Sequence, residues 1–214
     1  MFLLRASLLI LAIGVALFFA LRMRTPRSVF FERLLWLLVV AFGVEVVGLL
    51  LREFHFHNVV LYNVYAIIEF VVLLSMVHTL HPDRGRSLLV LGAVGGTGVT
   101  YSIVTGGLTD YLIIEGLLTI SLVNCVVFLL ALLNIARNSS GPLHTVPLFW
   151  FFAGVLLYFG GIIPVLGTWK YLGQLDLELS QVTYWIVVLL AIVRYSLTAV
   201  ACALEGEQNV EPNA

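Results

Sequence analysis

Charge is scarce in this sequence: 11% of its 214 residues are Asp, Glu, Lys or Arg, against roughly 25% in an ordinary soluble domain. Lysine is nearly absent, Lys170 being the single one. There are only two cysteines, Cys125 and Cys202, and both fall inside apolar runs, which excludes a disulfide framework and leaves them as small hydrophobes. No His-Glu-x-x-His, glycine-rich nucleotide loop or Gly-x-Ser-x-Gly elbow occurs. No cofactor is therefore indicated. The few arginines outside the apolar runs belong to no folded basic module, so nucleic acid is excluded as a partner.

What the chain has in abundance is long apolar sequence, 61% of its residues being hydrophobic. Crossing a hydrocarbon core about 30 Å thick takes roughly 20 residues of helix. Seven runs qualify: Leu3 to Leu21, Leu34 to Leu51, Val59 to Leu80, Ser87 to Val104, Leu112 to Ala136, Val146 to Leu166 and Gln181 to Leu204. Spans of a transmembrane β-barrel would be about ten residues long and alternating; these are longer and apolar on every side. The expected fold is an all-α integral membrane bundle of seven transmembrane helices, one domain over residues 1–204 followed by a short acidic tail, 205–214. The first run ends Phe-Phe-Ala-Leu-Arg, without the small-x-small site of a cleaved signal, and reads as an uncleaved anchor.

Arginine placement predicts orientation. With the amino terminus outside, Arg22, Arg24, Arg27, Arg33, Arg84, Arg86 and Arg137 lie on the inner side, and Arg5, Arg52 and Lys170 on the outer. The positive-inside rule then places the carboxyl terminus in the cytoplasm, in a bacterial plasma (inner) membrane. The basic stretch from Arg22 to Arg33 serves to orient the first two helices.

The fourth span carries Gly92, Gly95, Gly96 and Gly98, and small residues let helices approach closely in lipid. It is expected to be central in the bundle or to meet a second copy or a membrane-protein partner, with Gly92 and Gly96 as a small-xxx-small pair. Pro164 should kink or loosen the outer end of the sixth span. Trp36 and Trp150 occupy comparable places in the second and sixth spans, a faint sign of an internal repeat.

Ionisable residues deep in the spans carry the functional signal, because a charge at a helix centre costs about 2.5 to 3.5 kcal/mol on insertion scales. Glu45, Glu69, Glu115 and Arg194 are such residues. Tyr62, Tyr65 and Glu69 share one face of the third helix by their spacing of three and four. Arg194 is the one basic side chain deep enough to meet Glu69. It cannot neutralise three carboxylates, which leaves at least one to bind a cation or solute, to hold a proton or to meet water. Asn124 and Ser121 on the fifth helix add donors and acceptors at intermediate depth.

Two histidine groups are weaker metal candidates: His55 and His57 beside Glu53, with Asp110, Asp176 and Glu178 in other outer loops, and His78 and His81 beside Asp83 at the inner side, with His144. Three functions follow: transport of a small solute or ion through the polar interior, a seven-helix sensor or membrane-complex assembly subunit, or an intramembrane metal-dependent hydrolase using the inner histidines. The layout resembles that of several receptor, rhodopsin and sugar-carrier families. The residues depart from them, since retinal needs a lysine in the last helix, where this chain has Arg194, and the Pro-Gln pairs of short sugar carriers do not occur.

Overall fold

A computed structural model of the chain describes residues 2–109, 112–139, 141–175 and 177–208, with backbone alone at 2, 3, 169–175, 177–182, 184 and 208. It contains seven long helices: α1 (Phe2–Arg22), α2 (Val29–Glu53), α3 (Val59–Leu80), α4 (Gly85–Gly106), α5 (Ile114–Asn138), α6 (Pro147–Leu175) and α7 (Leu177–Gln208). All seven are long and apolar enough to cross a membrane. The chain is a multi-pass integral membrane protein. Helices close their own hydrogen bonds, which is what hydrocarbon demands of a spanning segment.

Helix ends extend past the apolar windows, for local reasons. α2 begins at Val29 because the Ser28 hydroxyl accepts a hydrogen bond from the Phe31 amide, 3.5 Å, and Glu32 lies in the first turn, where the helix dipole favours an acid. α4 stops at Gly107, whose φ of 78° suits glycine and whose N–H bonds back to the Ile103 carbonyl. Pro164 does not end α6, which runs on to Leu175; the Thr168 hydroxyl bonds the Pro164 carbonyl at 2.8 Å.

Neighbours along the chain pack side by side, and α1 also packs on α7, closing a ring. The α1 residues Ala16 and Ala20 and the α7 residues Ala201 and Cys202 have no exposed surface, and small side chains of this kind let helices approach closely. α6 and α7 approach closely as well. A Cβ on Gly154 would meet the Arg194 carbonyl at 3.2 Å, and one on Gly161 would meet Leu190 at 2.6 Å. Cys125 is half-buried and its thiol is free, as is that of Cys202.

α4 is not central. It packs chiefly against α5, and to a lesser extent α3, and among the described residues buries only Gly95, Val99 and Ser102. Its glycines act within the chain: a Cβ on Gly95 would enter the Phe70 ring and one on Gly98 would enter the Thr119 side chain, whereas Gly96 faces open space and Gly92 meets only Leu74. The small-xxx-small spacing of 92 and 96 was legible, but the buried stripe runs through 95, 99 and 102, spaced by four and three. Trp36 is 64% exposed, while Trp150 packs on the core and donates its indole N–H to the His144 carbonyl. The two tryptophans thus sit in unlike places.

A cluster of phenylalanines seals the half of the bundle nearer the α1–α2 and α5–α6 connections. Phe30 meets Phe151 at 5.3 Å and Phe152 at 5.9 Å in edge-to-face contact, and Phe128 meets Phe152 at 5.4 Å. All four rings are buried. Edge-to-face geometry adds to the apolar contact through the ring quadrupoles.

Replacing Gly98 with Leu should overpack the α4–α5 contact and cost about 1–3 kcal/mol, seen as reduced folded yield in detergent. Gly96→Leu should match wild type, and equal losses in both would contradict this placement of α4.

Candidate functional site

The polar face of α3 carries the centre of the site. The Tyr65 hydroxyl donates to Glu69 Oε1 at 3.1 Å, one helical turn away, and lies 3.4 Å from the Tyr195 hydroxyl of α7. Arg194 Nη2 meets the same Glu69 oxygen at 2.6 Å. Glu69 is 6% exposed and Arg194 4%, so the pair is deeply buried. The guanidinium also lies over three rings, 5.0 Å from Tyr158, 5.3 Å from Tyr195 and 5.6 Å from Phe159. Aromatic faces stabilise a desolvated cation. Gly154 makes the geometry available, because with no side chain there α6 can approach the backbone at Arg194.

Tyr62, one turn before Tyr65, turns instead to α2, where its hydroxyl donates to Glu45 Oε2 at 3.2 Å. A Cβ on Gly48 would sit 2.7 Å from that hydroxyl, so the glycine one turn from Glu45 is what admits the tyrosine. Both carboxylates border a single cavity of about 230 Å³. Its walls are mostly apolar, including Leu9 of α1, Leu117 and Ile120 of α5, Ile162 of α6 and Ala191 of α7, with Ser121 among them. Six helices contribute; α4 does not. The cavity runs from the end of the bundle that carries Tyr62 and Ile114 down to Glu69 and Arg194 near mid-depth, and the phenylalanine cluster lies in the opposite half.

Of the residues singled out from sequence, Glu45, Tyr62, Tyr65, Glu69 and Arg194 meet at this cavity. Glu115 does not. It is exposed in the first turn of α5 and accepts a hydrogen bond from Ser102 of α4 at 3.1 Å. Asn124 lies one turn beyond Ser121, fully buried, with neither amide atom hydrogen-bonded. An unpaired buried polar group costs about 1–3 kcal/mol, which marks this spot below the cavity as one of unspent polarity.

Asn63, Tyr158 and Tyr195 are not among the candidates that the sequence singles out. Asn63 is fully buried; its amide donates to the Leu108 carbonyl at 2.9 Å and accepts from the Ile113 amide at 3.2 Å, which fastens the segment entering α5 to α3. Tyr195 was legible only as the neighbour of Arg194. Tyr158 sits a turn from Gly154, a relation that acquires meaning once α6 is known to pack on α7.

The histidines are elsewhere. His55, with φ 60°, and His57 are exposed with Glu53 at the end of α2. Asp110 and Asp176 lie outside the described residues, as does the side chain of Glu178. At the other end, His81 Nε2 is 3.4 Å from the Asn134 amide of α5, while exposed His78 borders Gly85 at the start of α4, so the two turn to different neighbours. Burial and then the nearby Arg84 hold the His81 imidazole below its ordinary pKa, with Asp83 opposing. His144 is exposed. Among the described residues no three His, Cys, Asp or Glu side chains are grouped to hold a metal.

The chain is thus a seven-helix membrane protein with a polar-floored cavity in one half of its bundle. No protein-family model, curated protein or solved structure matches it.

Glu69→Gln should leave Arg194 buried and uncompensated, at a cost of about 3–5 kcal/mol. The double change Glu69→Gln with Arg194→Gln should recover much of it, and thermal unfolding of wild type, both single variants and the double variant measures the coupling. Additive losses would show that the two side chains do not support one another.

Proposed function

We propose that this protein is a carrier that binds a small solute in the interior cavity and passes it across the membrane. The observation that supports the reading is the convergence of Glu45, Tyr62, Tyr65, Glu69, Arg194 and Tyr195 on one cavity. A few placed polar groups in an otherwise apolar concavity are the ordinary composition of a ligand site. Intramembrane charge that faces such a space belongs to a pathway more often than to a scaffold.

In this reading the amino terminus and the mouth of the cavity face outward and the carboxyl terminus lies in the cytoplasm of a bacterial cell, its inner membrane holding the protein. The distribution of arginines supports that orientation. The phenylalanine cluster then forms the inner barrier, and transport requires its rings to part. That same cluster favours a second reading, because a cavity in one half of a bundle whose other half is filled by four packed rings suits a sensor that binds without conducting and reports to a membrane partner. Helix α4, exposed along most of its length, is the face such a partner or a second copy would meet.

Orientation is tested by labelling single cysteines placed at Ser28 and Gly107 in intact cells: the reagent confined to the outside should reach Gly107→Cys and not Ser28→Cys. Transport is tested in proteoliposomes offered a panel of radiolabelled amines, amino acids and monosaccharides. At least one should show saturable uptake, lost in Ala191→Trp, which fills the cavity. Binding of a solute without uptake would replace the carrier with the sensor.

A further inference from the structure

Among the described residues, three ionisable side chains other than tyrosine border the cavity: Glu45, Glu69 and Arg194. Two of them are already spent on each other. Glu69 Oε1 takes both Arg194 Nη2 at 2.6 Å and the Tyr65 hydroxyl at 3.1 Å, and three aromatic rings cover the guanidinium. An incoming anion would have to break that pair to reach Arg194. Glu45 is differently placed. Its hydrogen bond comes from the neutral Tyr62 hydroxyl at 3.2 Å, and among the described residues no basic side chain lies within ion-pairing distance of it. The cavity therefore carries one uncompensated carboxyl, set in apolar walls where an opposite charge is attracted far more strongly than in water.

The surroundings select the kind of cation. A metal ion takes a shell of several oxygens, six to eight for calcium, and the carboxylate and one phenol at Glu45 fall short of that among walls of Leu, Ile and Val. An ammonium needs only a carboxylate and an aromatic neighbour, and Tyr62, whose hydroxyl meets Glu45, and Tyr65 border the cavity beside the rings already laid against Arg194. The apolar lining then takes the rest of the molecule. At about 230 Å³ the space is smaller than the roughly 300–1,000 Å³ of sites for drug-sized ligands, which fits one ring or a short branched chain.

We infer that the ligand of this cavity is a small organic monocation, an ammonium on an apolar body, with Glu45 as its counter-ion. The inference rests on the solute-binding reading above and adds the charge of the solute and the residue that reads it.

The test uses three probes with one apolar body and different charge: 2-phenylethylammonium, 2-phenylethanol and phenylacetate, titrated calorimetrically into the full-length protein in nanodiscs, with sodium and calcium chloride as a separate arm. The ammonium should bind at least about tenfold more tightly than the alcohol, and Glu45→Gln should lose that advantage, in line with the loss of one charge-assisted hydrogen bond. Glu45→Asp should keep most of it. Should Glu45→Gln fail to fold, Tyr62→Phe, which unfastens the carboxylate, is expected to weaken the ammonium about threefold or more and leave the alcohol unchanged. Alcohol or acid binding as tightly as ammonium would overturn the charge assignment while leaving a solute site in place. Saturable heat from sodium or calcium that Glu45→Gln abolishes would overturn it in favour of a metal. Binding of none of the probes at millimolar concentration would bring down both this inference and the solute site beneath it.

Discussion

A full positive charge held near the middle of a lipid bilayer is the constraint around which this bundle is organised. Arg194 can be there because Glu69 meets it at 2.6 Å and three rings surround it, and the helices that supply these groups have little freedom to lie elsewhere. α3 must present Glu69, α6 must come close enough for Tyr158 to reach the guanidinium, and Gly154 must stay bare for that approach. Such a pair need not add net stability over an apolar core of the same shape. Its effect is on which packing the helices choose, since any arrangement that parts the two strands a charge in hydrocarbon.

From that pair the molecule divides into unlike halves. One side is hollow and holds Glu45, Tyr62 and the polar floor; the other is filled by Phe30, Phe128, Phe151 and Phe152. Both sides are built from the same helices, so the difference lies in side-chain volume and polarity along each one. α5 shows the change within about two turns, passing from Ser121 at the cavity through fully buried Asn124 to Phe128 in the aromatic cluster.

The number and positions of the spans were legible because hydropathy responds directly to the thickness of hydrocarbon, and the polar face of α3 followed from its spacing alone. Glu69 and Arg194 could be paired from the sequence because each lies about halfway along its own run and the chain offers no other deep basic group. Glu115 was harder. It stands near the outer end of its run, in the first turn of α5, and which way it turns depends on the packing of α4, a neighbour that one sequence does not disclose. The glycines of α4 failed for a similar reason: their spacing shows that something approaches closely, whereas the residue approached, Phe70 or Thr119, is a matter of rotation about the helix axis. Helix ends ran past the apolar windows because capping, as at Ser28, is governed by hydrogen bonds and not by apolarity.

The pairing of α3 with α7 also sets a schedule. Tyr65 and Tyr195, which touch across the pair, are separated by 130 residues, and at about 5–20 residues per second a ribosome takes on the order of 10 s to travel that far. Throughout that interval the third helix has been made and the seventh has not, so Glu69 waits without its arginine. The companion it does have is Tyr65, on its own helix and one turn away, which can donate its hydrogen bond as soon as that turn forms. Tyr65 can therefore satisfy the carboxyl group before Arg194 exists, and once α7 is in place it becomes one wall of the finished chamber.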